Sequence, residues 1–84
     1  MKLNIGDVVE LQFQGRTYSG IVTAVTPERV ELAFTLDIYL EGAAQLTWSD
    51  GTEQALSIGP NSLTKLHVRL PLDEVARAQA LERS

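Results

Sequence analysis

Cysteine is absent from the 84 residues. That excludes a disulfide, a thiolate metal ligand and a cysteine nucleophile, so packing alone must hold the fold. Histidine occurs once, as His67, and the serines have no accompanying His–Asp pattern. Acid–base catalysis needs several positioned groups in a cleft, and none is legible here. The acids Glu31, Asp37 and Glu41 lie scattered along one segment rather than converging, as a hard cation would require. Aromatics are few: two Phe, two Tyr and one Trp. These fill a core, with little left for an aromatic cage around Tyr39 and Trp48. No apolar run reaches ~18 residues, so no membrane insertion by a helix is expected. The opening "MKLNIGDVVE" meets a Gly-Asp pair and a Glu without the apolar stretch of a signal peptide, so the expected location is cytoplasmic.

Positive charge is also scarce. Seven Lys/Arg stand against eleven Asp/Glu, a net charge of −4. General nucleic-acid binding needs a surplus of cations and is not expected. The imbalance is uneven. Residues 1–62 hold three Lys/Arg against eight Asp/Glu, whereas residues 63–84 hold four against three.

What is present is alternation of period two, the mark of half-buried strands. "GDVVELQFQ" sets Val9, Leu11 and Phe13 on one face. Gln14-Gly15-Arg16 supplies a tight turn into "TYSGIVTAV", where Gly20 implies a bulge or a close backbone approach. Thr26-Pro27-Glu28-Arg29 reads as a type I turn. "VELAFTLDIYL" then alternates for eleven residues, with Val30, Leu32, Phe34, Leu36, Ile38 and Leu40 on one side. A strand of that length must bend and serve two parts of a sheet. "AAQLTWS" and "TEQALSI" flank Asp50-Gly51, a strong hairpin signal, and "GPNS" is a loop. "LTKLHVRL" turns Leu66, Val68 and Leu70 inward and Lys65, His67 and Arg69 outward.

Pro71 ends the last strand. Asp73 is placed to cap a helix over residues 72–83, which is rich in helix formers. Val75, Ala78 and Leu81 form its narrow apolar stripe, suited to covering the open end of a barrel or to a homodimer contact. The expected fold is therefore mainly β. Residues 1–70 form a small antiparallel six-stranded barrel or rolled sheet in hairpin order, and one C-terminal α-helix completes a single domain, 1–84.

The best electrostatic feature is the row Lys65, His67 and Arg69, spaced about 7 Å apart on one sheet face. It suits a phosphate, an acidic partner or an anionic surface, or it balances the acids of neighbouring strands.

"GIVTAVTPERVELAF" and the closing "LHVRLPLDEVARAQAL" together resemble a PilZ domain, a bacterial barrel family that binds cyclic di-GMP. The family's Asp/Asn-x-Ser-x-x-Gly pattern falls on Ala24, Thr26 and Arg29, with only Thr26 a conservative match. The companion Arg-x-x-x-Arg is missing, since only Lys2 and Arg16 precede the turn. Those arginines would supply bidentate phosphate and guanine contacts. The resemblance thus implies a degenerate, non-enzymatic module without cofactors, acting through protein contacts rather than cyclic di-GMP. The pattern positions Thr26 and Arg29, taken with the row Lys65, His67 and Arg69 read from alternation, make up the expected ligand or partner surface. Two alternatives stay open. "IGDVVELQFQGRTYSGIVTAV" also resembles Tudor and KOW-type small barrels, which bind proteins or RNA, and a structural homo-oligomer subunit fits the helix stripe.

Overall fold

The computed structural model describes residues 3–60 and 64–83, with side chains described through Gln79. Six strands form one antiparallel, curled sheet: β1 (Val8–Phe13), β2 (Arg16–Val25), β3 (Arg29–Thr35), β4 (Gly42–Thr47), β5 (Glu53–Ile58) and β6 (Lys65–Pro71). One helix follows, α1 (Leu72–Arg83). The order across the sheet is β5-β4-β1-β2-β3-β6. Strict hairpin order is therefore corrected. β4 pairs with β1 rather than β3, and β6 pairs with β3 rather than β5. The sheet is a half-barrel with β5 and β6 as its two edges.

Alternation builds the inner face. Val9, Leu11 and Phe13 from β1 meet Val22 from β2, Val30, Leu32 and Phe34 from β3, and Leu66, Val68 and Leu70 from β6 in one buried cluster. Each such side chain removed from water contributes roughly 1.5–3 kcal/mol. Gln14 and Gly15 close the β1–β2 hairpin with φ of 48° and 80°. Positive φ at both loop positions matches the right-handed twist of the flanking strands.

Gly20 is a point of close approach, and the bulge lies three residues further on. A Cβ at Gly20 would lie 2.5 Å from the Ala33 carbonyl oxygen and 2.6 Å from Phe34 Cε1. The Phe34 ring thus occupies the space that glycine leaves. Pairing between β2 and β3 shifts between Val22 and Ala24. Thr23 is the extra residue, and its hydroxyl donates to the Glu31 carbonyl at 3.2 Å.

The eleven-residue strand from Val30 to Leu40 is not formed. β3 ends at Thr35, and residues 36–41 are a crossover. Leu36 and Leu40 remain buried while Asp37, Ile38 and Tyr39 are exposed. The reason is topological: the chain must leave β3 and cross to β1, where β4 pairs. Two buried leucines four residues apart anchor that crossing, which mimics strand alternation in the sequence. Asp37 lies 3.9 Å from Arg16, and the Tyr39 hydroxyl donates to Glu41 at 2.6 Å.

The last strand begins at Lys65, later than the expected Leu63, which lies outside the described residues, as do Asn61 and Ser62 of the expected loop. Asp73 sits inside the first helical turn rather than before it, and its carboxylate accepts the Glu74 N–H at 2.9 Å. Val75 and Gln79 are buried on the inward helix face, with Leu72 and Ala78 half-buried beside them. Leu81 is outside the described side chains. α1 packs against β5, β6 and β3, so it spans the open side of the half-barrel and joins its two edges.

Candidate functional site

The turn after β2 is closed by a side chain. Thr26 Oγ1 accepts the N–H groups of Glu28 and Arg29 at 3.2 and 3.0 Å. The Glu28 carbonyl accepts the Leu72 N–H at 3.0 Å, tying the turn to the start of α1. Thr26 is thereby committed to the scaffold.

Arg29 emerges from this turn at the start of β3, beside β6. Register places Glu31 opposite Arg69, Ala33 opposite His67 and Thr35 opposite Lys65. Glu31 Oε2 accepts from Arg29 Nε at 2.9 Å, and its Oε1 accepts from Arg69 Nε at 3.4 Å. One carboxylate thus gathers two guanidinium groups. The hydrogen bond from Arg29 is the main cause holding Glu31 below the usual carboxylate range; partial burial opposes it and Arg69 adds to it. The cluster retains one net positive charge. Arg69 stays largely exposed, at 72% of its side chain. Arg29 and Arg69 border a shallow depression of about 240 Å³ with Glu28, Leu70 and Pro71.

Of the five residues singled out in the sequence, the structure brings Arg29 and Arg69 together. His67 and Lys65 continue the same outer face along β6. Thr26 is bonded to the main chain of Arg29, with its hydroxyl spent in closing the turn. Ala24, at the first position of the PilZ-type pattern, pairs with Glu31 across the ladder and offers no polar side chain.

The outer face holds a second feature that alternation alone does not reveal. Val8 is opposite Ile21, Ile21 is opposite Ala33, and Ala33 is opposite His67. This row crosses four strands and leads from apolar residues to the cationic stripe. Val8 and Ile21 are 57% and 46% exposed although they are aliphatic. A depression of about 220 Å³ lies at its end, lined by Ile21, Ala33, Phe34, Thr35, Lys65 and His67. The sequence signal was present, as Val8 and Ile21 are apolar at outward positions, but only the register aligns them.

A third feature lies at the seam. Main-chain groups of successive residues in an antiparallel strand point to opposite sides. Leu36 N–H bonds to the Thr64 carbonyl and Leu72 N–H to the Glu28 carbonyl, so the even-numbered residues of β6 face β3. His67 and Arg69 therefore turn their N–H and C=O groups to the free edge. On β5, Trp48 N–H bonds to the Thr52 carbonyl, which sets the parity there in the same way. Ala55 and Ser57 face the other free edge. Between these edges runs a groove of about 350 Å³, lined by residues 56–60, residues 66–71 and Glu74.

Trp48 and Tyr39 do not form a cage. Trp48 is buried and donates its Nε1–H to Gln54 Oε1 at 3.1 Å, while Tyr39 lies outside in the crossover. Among the described residues, no three His, Cys, Asp or Glu side chains converge as a metal site would need. No described helix is long and apolar enough to cross a membrane. Compared with known proteins, the chain matches no family model, no curated sequence and no solved structure.

Proposed function

We propose that this chain is a non-enzymatic interaction module, of degenerate PilZ-like type, that binds a protein partner through the outer face of β1, β2, β3 and β6 in a bacterial cytoplasm. The observation carrying this reading is the row from Val8 and Ile21 through Ala33 to His67, flanked by Lys65 and Arg69. Protein contact surfaces combine exposed apolar groups with arginine in this way.

Cyclic di-GMP is a weaker candidate for the same surface. Thr26 is occupied in its turn, Ala24 lacks a polar group, and Glu31 already engages both nearby arginines. The net charge of −4 weighs against the RNA-binding version of a Tudor or KOW-type barrel. For a homo-oligomer built on the helix, the central residue Val75 is already buried against the chain's own sheet.

The test is capture of a partner by the immobilised chain, compared with the Lys65→Glu/His67→Glu/Arg69→Glu variant. A partner retained by the first and lost by the second is expected. Equal retention by both would remove this surface from the account. Calorimetry at high micromolar cyclic di-GMP should show no saturable heat. Saturable heat abolished by Arg29→Ala or Arg69→Ala would replace the protein reading with nucleotide sensing.

A further inference from the structure

We infer that β6 accepts an extended segment of a partner as a seventh strand, and that the segment carries acidic residues alternating with apolar ones. This rests on the interaction reading above and specifies how contact is made. The free main-chain groups of β6 belong to His67 and Arg69, the residues whose side chains form the outward cationic row. A strand added there gains ladder hydrogen bonds to these residues, the mode by which sheet edges bind peptides. Side chains on its outer face then stand about 4.5–5.5 Å from those of Lys65, His67 and Arg69. Carboxylates are the complement at that distance.

The inner face of the added strand meets a different surface. Leu66, Val68, Leu70 and Ile58 wall the groove beneath it, each at most 9% exposed as the rim of the core. An apolar residue at every second position of the segment extends that core over the edge. The lining from Leu66 to Pro71 accommodates about five residues at roughly 3.4 Å each. Pro71 marks one end, because its missing N–H falls at the position that faces the edge. Glu74 of α1 closes the same end with a negative charge, which sets the acids of the segment toward His67 and Lys65.

A second copy of the chain fits this edge poorly. Antiparallel pairing of β6 with itself, centred on His67, sets Lys65 against Arg69 twice, and like charges directly opposite are destabilising. Pairing of β6 with another copy's β5 presents Glu53, Ala55 and Ser57, only one acid against the cationic row. That contact is also head-to-tail, so it builds a ring or an open filament rather than a two-fold dimer.

The experiment is a fluorescence anisotropy titration with labelled Val-Glu-Val-Glu-Val-Glu-Val and with its Lys counterpart in place of Glu. The Glu peptide should bind saturably and the Lys peptide should not. His67→Glu/Arg69→Glu should weaken the Glu peptide more than about tenfold and admit the Lys peptide. His67→Pro deletes one edge donor while keeping β6 on the outside of the sheet, and should weaken binding about 3- to 10-fold. If that variant does not fold by circular dichroism, the charge reversal decides alone. No binding of the Glu peptide at 1 mM, or equal binding of both peptides, overturns the inference. So does concentration-dependent self-association by light scattering that His67→Glu/Arg69→Glu abolishes, since a second copy is then the occupant. If the peptide fails but captured partner is still lost on reversal of the outer face, strand addition falls and the interaction reading stands. If capture fails as well, both fall.

Discussion

The two edges of the sheet have the same backbone geometry and opposite chemistry. β5 presents Glu53, Ala55 and Ser57 outward and places Gln54 inside, where it accepts the Trp48 indole N–H. β6 presents Lys65, His67 and Arg69 outward and only Leu66, Val68 and Leu70 inside. An edge strand offers unpaired main-chain groups to any other strand, and charged side chains are the usual means of limiting which strands respond. The difference teaches that β6 joins a fully apolar inner anchor to an outer face of one charge. β5 has neither, and its small outward side chains specify no partner.

The comparison breaks first through stability. Leu66→Ala on β6 should cost about 2–5 kcal/mol, read from the shift of the urea midpoint at unchanged slope. Gln54→Leu on β5 should cost less, about 1–2 kcal/mol. It orphans the Trp48 N–H but also removes the buried Gln54 Nε2, which has no partner among the described residues. Equal losses would contradict the assignment of β6 as the better-anchored edge.

Gly20→Ala sharpens the same point from the strand that supports β3. The new Cβ must displace the Phe34 ring or the Ala33 carbonyl, at a cost of about 1–3 kcal/mol. Phe34→Leu in the same chain should recover part of the loss, measured as a double-mutant cycle.

A smaller effect concerns Glu31, which links β3 to the cationic face. Its carboxyl should titrate below the usual range by NMR. Arg29→Ala should raise it more than Arg69→Ala, since the Arg29 bond is the larger cause. A depressed folded pKa means that the contribution to stability is present above the unfolded value. It is lost as pH falls through the folded value, so the effect appears only in the acid range. Glu31→Gln should leave the unfolding midpoint nearly unchanged while tightening an acidic peptide severalfold, because it releases both guanidinium groups. Weakened binding would mean that Glu31 positions Arg69 rather than competing for it.

Much of this arrangement is legible in the sequence. The alternation from Val9 to Phe13 and from Leu66 to Leu70 gave the strands and their inner faces, and the row Lys65, His67 and Arg69 was placed outward correctly. Composition and Pro71 placed the helix. The end of β3 was not legible, because Leu36 and Leu40 stay buried after the chain has left the ladder. Strand order was hidden for a general reason: alternation tells which face a residue occupies but not which strand lies beside it. Glu31 and Arg69 are 38 residues apart, and only the β3–β6 pairing joins them. The apolar row from Val8 to Ala33 depends on three registers at once. Gln79 faces inward although polarity argues for the solvent side, and its carboxamide oxygen finds no partner among the described residues.

Amide hydrogen exchange, resolved by residue in the free and peptide-saturated protein, separates the two edges most directly. The His67 and Arg69 N–H groups should slow at least about tenfold on saturation with the alternating Val-Glu peptide, because each lies at the free edge of β6. Ser57 and Ala55 on β5 should slow less. Protection confined to Ala55 and Ser57, or unchanged exchange at His67 and Arg69 with peptide bound, would contradict the assignment of β6 as the receiving edge.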